Sequence, residues 1–225
     1  MTASRYAGYP GGCCCSPLGT RKRSDGIVPE PREDGRDGRD PAKRDAVSRA
    51  YYKLADFTKA IGFSFTDKTV LDIGSSTGGF TEFALSHGAK KVIAVEKGTN
   101  QMKAPLRRDP RIELHEKTNI FDFKCKADVI LADVSFISLT KVLKYAKIHL
   151  SRSDTQFLVM MKPQFEARPD QLNKGVVKNE KIRRQIIKDF EVWLKMNGFL
   201  IINKRDNTLA GKKGNVERFY LLKKI

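Results

Sequence analysis

The sequence predicts an α/β protein built on a doubly wound, mostly parallel sheet. Three observations predict it. From Ser48 onward, short apolar runs alternate with segments of helical periodicity. The run ADVILAD, 127–133, is apolar almost without a break, as a strand buried on both faces requires. The apolar run TVLDI ends in a small-residue turn that opens directly into FTEFALSH. A strand, a tight turn and a helix N-terminus in that order seat nucleotide-type ligands in such sheets.

The elements follow in order. Ser48 is placed to cap a helix, RAYYKLADFTKAI, that Gly62 stops. TVLDI is the first strand and FTEFALSH the helix after it. KVIAVE, 91–96, is a β-branched second strand, and NQMKAPLRR a short helix limited by Pro105. RIELHEK is the third strand and ADVILAD the fourth. SLTKVLKYAKIHL sets Leu139, Val142, Leu143, Ala146 and Leu150 on one helical face. QFLVMMK, 156–162, is the fifth strand. NEKIRRQIIKDFEVWLKMNG is a helix capped by Asn179 and stopped by Gly198, with Ile182, Ile186, Phe190 and Trp193 on its apolar face. That periodicity makes Trp193 a core residue rather than a base-stacking platform. FLIINKRDN and RFYLLKK close the chain as a hairpin.

Composition bounds the function. The 225 residues carry a formal net charge of +17, which calls for a polyanionic partner, nucleic acid first and an anionic membrane surface second. Cys13, Cys14 and Cys15 are consecutive and Cys125 stands alone. Without C-x-x-C spacing, and with three histidines, neither a disulfide framework nor a zinc site is expected. The first twenty residues hold no signal-peptide core, and no apolar stretch reaches the roughly 18 residues that cross a bilayer. A reducing, cytoplasmic setting without stable membrane insertion is expected. Residues 1–45, rich in Gly, Pro and mixed charge, read as a flexible tail ahead of a single catalytic domain, 46–225.

Chemistry in such a sheet lies beyond the carboxyl ends of its strands. Asp72, Glu96, Asp133 and Lys162 close strands one, two, four and five. In the turn, Ser75, Ser76 and Thr77 separate Gly74 from Gly78 and Gly79, with Phe80 following. A dinucleotide fingerprint wants G-x-G-x-x-G. The departure turns the site away from a pyrophosphate and toward a nucleoside with a cationic amino-acid tail, S-adenosylmethionine; a purely structural turn is the alternative. Glu96, about 20 residues on, can accept both ribose hydroxyls. Asn119 is a candidate for the adenine edge, although asparagine there also makes turns. Lys162 ends an apolar strand, where desolvation and nearby carboxylates at Asp133 or Glu217 act on its charge in opposite senses. It is a candidate for acid/base or electrostatic work.

SRAYYKL, LDIGSSTGGFTEF, LADVSFISL, MMKPQFEA and GNVERFYLL follow one another as they do in FtsJ-like RNA 2′-O-methyltransferases. The chain resembles that family over residues 46–225, and within it the TlyA branch, also labelled hemolysin A. The resemblance implies a class I, Rossmann-like fold, S-adenosylmethionine as cofactor, and methylation of a ribose 2′-hydroxyl in ribosomal RNA, at a cytidine. It also implies a Lys-Asp-Lys-Glu set on Lys53, Asp133, Lys162 and Glu217. Lys162 would sit beside the hydroxyl, as base or as orienting charge. Such proteins usually begin with a small S4 RNA-binding domain, which residues 1–45 are too short and irregular to form. Where the family carries an aspartate and a small apolar residue after strand two, Glu96-Lys97 stands here. A membrane-active protein and a non-catalytic RNA-binding protein are the competing readings.

Overall fold

The computed structural model describes residues 46–209, 211 and 214–225. The expected tail and its three cysteines lie outside them. Seven strands form one sheet in the order β3-β2-β1-β4-β5-β7-β6. They are β1 (Thr69–Ile73), β2 (Lys91–Val95), β3 (Ile112–His115), β4 (Ala127–Ala132), β5 (Ser151–Met161), β6 (Phe199–Asp206) and β7 (Arg218–Lys224). The first five run parallel; β7 lies antiparallel to both β5 and β6. The last two strands are thus a hairpin, as expected, inserted so that β7 and not β6 meets the parallel sheet.

Both sheet faces are buried, which is why the central strands read as unbroken apolar runs. Side chains alternate between the two cores with the period of two that a strand imposes. Leu71, Ile73, Ile130, Ala132, Phe157, Val159, Tyr220 and Leu222 point to one core, shared with α4 (Leu139–His149) and α6 (Glu180–Met196). Val70, Val129, Leu131, Leu158, Met160, Phe219 and Leu221 point to the other, shared with α1 (Arg49–Ile61) and α2 (Gly79–Ser86). Trp193 is partly buried against the first core, in its expected role.

Three local readings are corrected. Ser48 occupies the N-cap position of α1 but its side chain makes no capping bond, because its Oγ is buried beside Gly79. β1 runs to Ile73, so Asp72 is its penultimate residue and points into the protein rather than standing at the strand's end. β5 begins at Ser151 and not at 156, since the polar segment SRSDT joins β4 through a register shift between Ala127 and Val129. After Lys162 the chain turns at once into a four-residue helix, α5 (Pro163–Glu166), where proline supplies a ready-made first helical position. The expected short helix around Pro105 is α3 (Ala104–Arg107).

Candidate active site

A cavity of about 830 Å³ opens beyond the carboxyl ends of β1, β4 and β5. The glycine turn forms one wall. Gly74 has φ +81, and a Cβ there would stand 3.1 Å from the Asp133 carbonyl, so a side chain would push the turn off the end of β4. Gly79 opens α2 where a Cβ would fall 2.1 Å from Ser48 Oγ, which brings the start of α1 against the turn. Gly78 (φ +96) is absent from the lining; it supplies the left-handed step that turns the strand into the helix. Asp72, Gly74, Ser75, Ser76, Thr77, Gly79 and Phe80 all line the cavity.

Asp72 is fully buried and accepts a 2.6 Å hydrogen bond from Thr81 Oγ1. Burial pushes its carboxyl up to about 7, against the pull of the Thr81 hydrogen bond and with a further push from the charge of Asp133. Its Oδ1 and the Ser75 Oγ are buried and have no protein partner. Unpaired acceptors in a cavity wall need a donor from a ligand. An ammonium-bearing nucleoside can donate to Asp72 Oδ1, and the Ser75 hydroxyl can donate to or accept from the same ligand.

Glu96 follows β2 but does not line the cavity. Its Oε2 accepts from Ser76 N (2.9 Å) and its Oε1 from Gly98 N (2.7 Å), so it braces the glycine turn. Asn119 is exposed and also absent from the lining. Its Oδ1 accepts from Phe121 N at 3.3 Å and caps a single 3-10 turn, Ile120–Asp122. The structure shows the turn-making role of this side chain and does not bring Asn119, expected at the adenine edge, into the cavity lining.

The other wall holds two lysine–carboxylate pairs. Lys53, on α1, is ion-paired with Glu217, which precedes β7; their side chains are 7% and 6% exposed. Phe57, one turn along α1, stacks on Phe219 at 4.9 Å, so aromatic packing supports the pair. Asn207 donates its backbone N–H to the Glu217 carbonyl at 2.8 Å, tying the loop after β6 to the same point. Lys162 Nζ lies 2.6 Å from Asp133 Oδ1 and donates to Ser135 Oγ at 2.8 Å; these side chains are 11% and 21% exposed for Lys162 and Asp133. Residues 53, 133, 162 and 217 thus converge from four separate segments on one cavity.

The matched family model is the FtsJ-like methyltransferase, over residues 46–224. The chain belongs to that family. A Campylobacter jejuni protein named 23S rRNA (cytidine-2′-O)-methyltransferase TlyA is 39% identical over 178 residues, 77% of this chain and 69% of that protein. Hemolysin A of Brachyspira hyodysenteriae is 37% identical, over 76% of this chain and 74% of that one. The crystal structure of a candidate hemolysin from Lactococcus lactis superposes with a TM-score of 0.75 at 34% identity, covering 80% of this chain and 89% of that one. The fold is that of the Rossmann-like methyltransferases, as expected.

Several residues of this FtsJ-like site escape the sequence reading. Ser135, Phe136, Gln164, Phe165 and Lys103 all line the cavity. Phe136 is 92% exposed, has φ +64, and packs against Phe165 with ring centroids 5.3 Å apart. A bulky residue in left-handed backbone is strained, and here it holds an aromatic ring out to water at the cavity wall. The signal was present in DVSFISL, where the ring falls three residues after Asp133. A loop has no periodicity to mark it.

Proposed function

We infer that this methyltransferase uses S-adenosylmethionine to methylate a ribose 2′-hydroxyl of ribosomal RNA, at a cytidine. One observation carries the reading. The Lys162–Asp133 pair stands in the same cavity as the glycine turn and its unpaired Asp72 and Ser75 oxygens. Asp72, Ser75 and the backbone of residues 74–77 are the groups that would hold the amino-acid end of the cofactor, and Glu96 the ribose. S-adenosylmethionine supplies, when bound, a methyl group already activated by its sulfonium. The protein's task is then alignment. The Lys162 ammonium, fixed by Asp133 and Ser135, has a third N–H free to hold the 2′-oxygen. Lys53 and Glu217 hold α1 and the start of β7 in place behind it. Phe136 offers its face to the unstacked base. The net charge of +17 supplies phosphate attraction that salt weakens.

The name of the Campylobacter jejuni relative, a methyltransferase of cytidine 2′-hydroxyls in 23S ribosomal RNA, supports this substrate class. The work of such an enzyme is cytoplasmic. The hemolysin name of other relatives favours a second reading, but among the described residues no helix is long and apolar enough to cross a membrane. The deciding experiment incubates the chain with labelled S-adenosylmethionine and separated ribosomal subunits, then maps the methylated nucleotide. A single 2′-O-methylcytidine is expected. Absence of transfer to either subunit, with leakage from liposomes, would reverse the two readings.

A further inference from the structure

The two segments that carry the Lys162–Asp133 pair are joined a second time outside the cavity. Asp133 and Ser135 lie on the loop from β4 to α4, and Lys162 stands between β5 and α5. At the cavity the segments meet through Lys162 Nζ, with Asp133 Oδ1 and Ser135 Oγ. The second join is Glu166, the last residue of α5. Its Oε2 accepts from Ser138 Oγ and its Oε1 from Leu139 N, both at 2.6 Å. Ser138 ends the loop as the N-cap of α4, and Leu139 opens that helix. The carboxylate thus takes a backbone N–H that the helix leaves unpaired, at the end where negative charge is favoured.

Packing alone does not fix the Lys162 segment. α5 is a single turn with Pro163 as its one buried residue. Glu166 is absent from the lining of the site cavity and lines a separate cavity of about 230 Å³ with Thr140, Arg168 and Phe190. Atoms beside an open space lack dispersion partners on that side, so hydrogen bonds must set where the segment lies. The facing loop carries Phe136 at φ +64, and such backbone persists only where its surroundings over-determine it. The start of the loop is held by Asp133 N on the Ile73 carbonyl at 3.2 Å, and its end by Glu166. Buried Leu139, Val142, Leu143 and Ala146 anchor α4 independently. Glu166 therefore fastens the Lys162 segment to a fixed support.

We propose that Glu166 is a positioning residue for methyl transfer. It touches neither substrate nor cofactor. It sets the Lys162 segment against the Asp133–Ser138 loop, and so the place of the Lys162 ammonium against the 2′-oxygen. The inference rests on the 2′-O-methyltransferase reading above and adds the group that keeps its lysine in line.

The test uses the full chain and the ribosomal subunit that accepts the methyl group. A reacting group misplaced by about 1 Å costs about 100-fold, so Glu166→Ala should lower kcat by about 10- to 100-fold. Its KM for the subunit should stay within about threefold, and its S-adenosylmethionine affinity by calorimetry should equal the wild type. Glu166→Gln can still accept from Leu139 N and donate to the Ser138 hydroxyl, and should recover kcat to within about fivefold. Glu166→Asp keeps the charge and shortens the reach by one methylene; it should be slower than Glu166→Gln, and it carries the test if the alanine variant does not fold. In a Lys162→Ala background, Glu166→Ala should cost less than about threefold in single-turnover rate, because the group that it places is gone. A wild-type kcat in Glu166→Ala, cofactor affinity that falls with kcat, or full additivity with Lys162→Ala overturns this inference alone. No methyl transfer by the wild type to either subunit overturns both readings.

Discussion

Two lysine–carboxylate pairs share one cavity and differ in depth of burial. Lys53 and Glu217 are the more deeply buried pair, 7% and 6% exposed, against 11% for Lys162 and 21% for Asp133. A deeply buried pair has lost its hydration and depends on its partner; removing one member leaves a buried, uncompensated charge. A less buried pair keeps some water and can trade it for a substrate hydroxyl. On the proposed reading, the more buried pair should act as a strut and the less buried one as the working group. The surroundings agree. The more buried pair sits on stacked Phe57 and Phe219, whereas the other adjoins Ser135 and the exposed Phe136.

The largest effect should fall on the less buried pair's lysine. Lys162→Ala should lower methyl transfer by about 10³-fold or more, because the group that aligns the 2′-oxygen is lost. Cofactor affinity and the denaturant midpoint should stay near wild type, because the lost group is not a strut. Single-turnover kinetics and calorimetry read the two quantities apart. Retained transfer would end the distinction between the pairs.

The more buried pair should answer in stability. Glu217→Ala leaves Lys53 buried alone and should cost about 3–5 kcal/mol in urea unfolding. Lys53→Met with Glu217→Leu should recover most of that loss and, with the fold restored, most of the methyl transfer. The matched change in the other pair, Asp133→Ala, should cost less than Glu217→Ala, because that pair is less buried, and still abolish useful transfer. Equal stability losses for Glu217→Ala and Asp133→Ala would show that exposure does not separate the pairs.

Asp72 extends the comparison to a buried acid with no cation. Its carboxyl holds a proton up to about 7 in the folded protein, well above its ordinary 3.8. The folded state therefore binds the proton more tightly than the unfolded state. Stability from this group is complete below about pH 4 and is lost as pH rises through 7. The loss is about 2–4 kcal/mol, since each tenfold gain in proton affinity is worth about 1.4 kcal/mol. Asp72→Asn cannot titrate and can still accept from Thr81. Cofactor-free urea midpoints from pH 4 to 8 should show the wild type falling relative to Asp72→Asn. Parallel curves would mean that Asp72 is charged in the fold.

The strands were legible because both sheet faces are buried, so TVLDI and ADVILAD carry their burial in composition alone. The start of β5 was not, because SRSDT joins the sheet through backbone pairing and a register shift that polar residues do not advertise. In the site, the glycine turn could be read from local spacing. Lys53 and Glu217 lie 164 residues apart and could be joined only through a family resemblance. Phe136 and Gln164 sit in loop and single-turn segments, where no period distinguishes a working side chain from a solvated one.

Asn119 marks the limit of reading a loop residue by type, since one amide oxygen serves equally for a cap and for a ligand. The geometry commits that oxygen to Phe121 N, outside the cavity. Asn119→Ala should therefore behave like a lost cap, costing about 0.5–1 kcal/mol, with cofactor affinity within about twofold of wild type. The opposite pattern, a roughly tenfold weaker cofactor and an unchanged urea midpoint, would restore the adenine contact. It would also mean that the turn at 120–122 rearranges when the site fills, bringing under the cofactor's control a segment that here belongs to the scaffold.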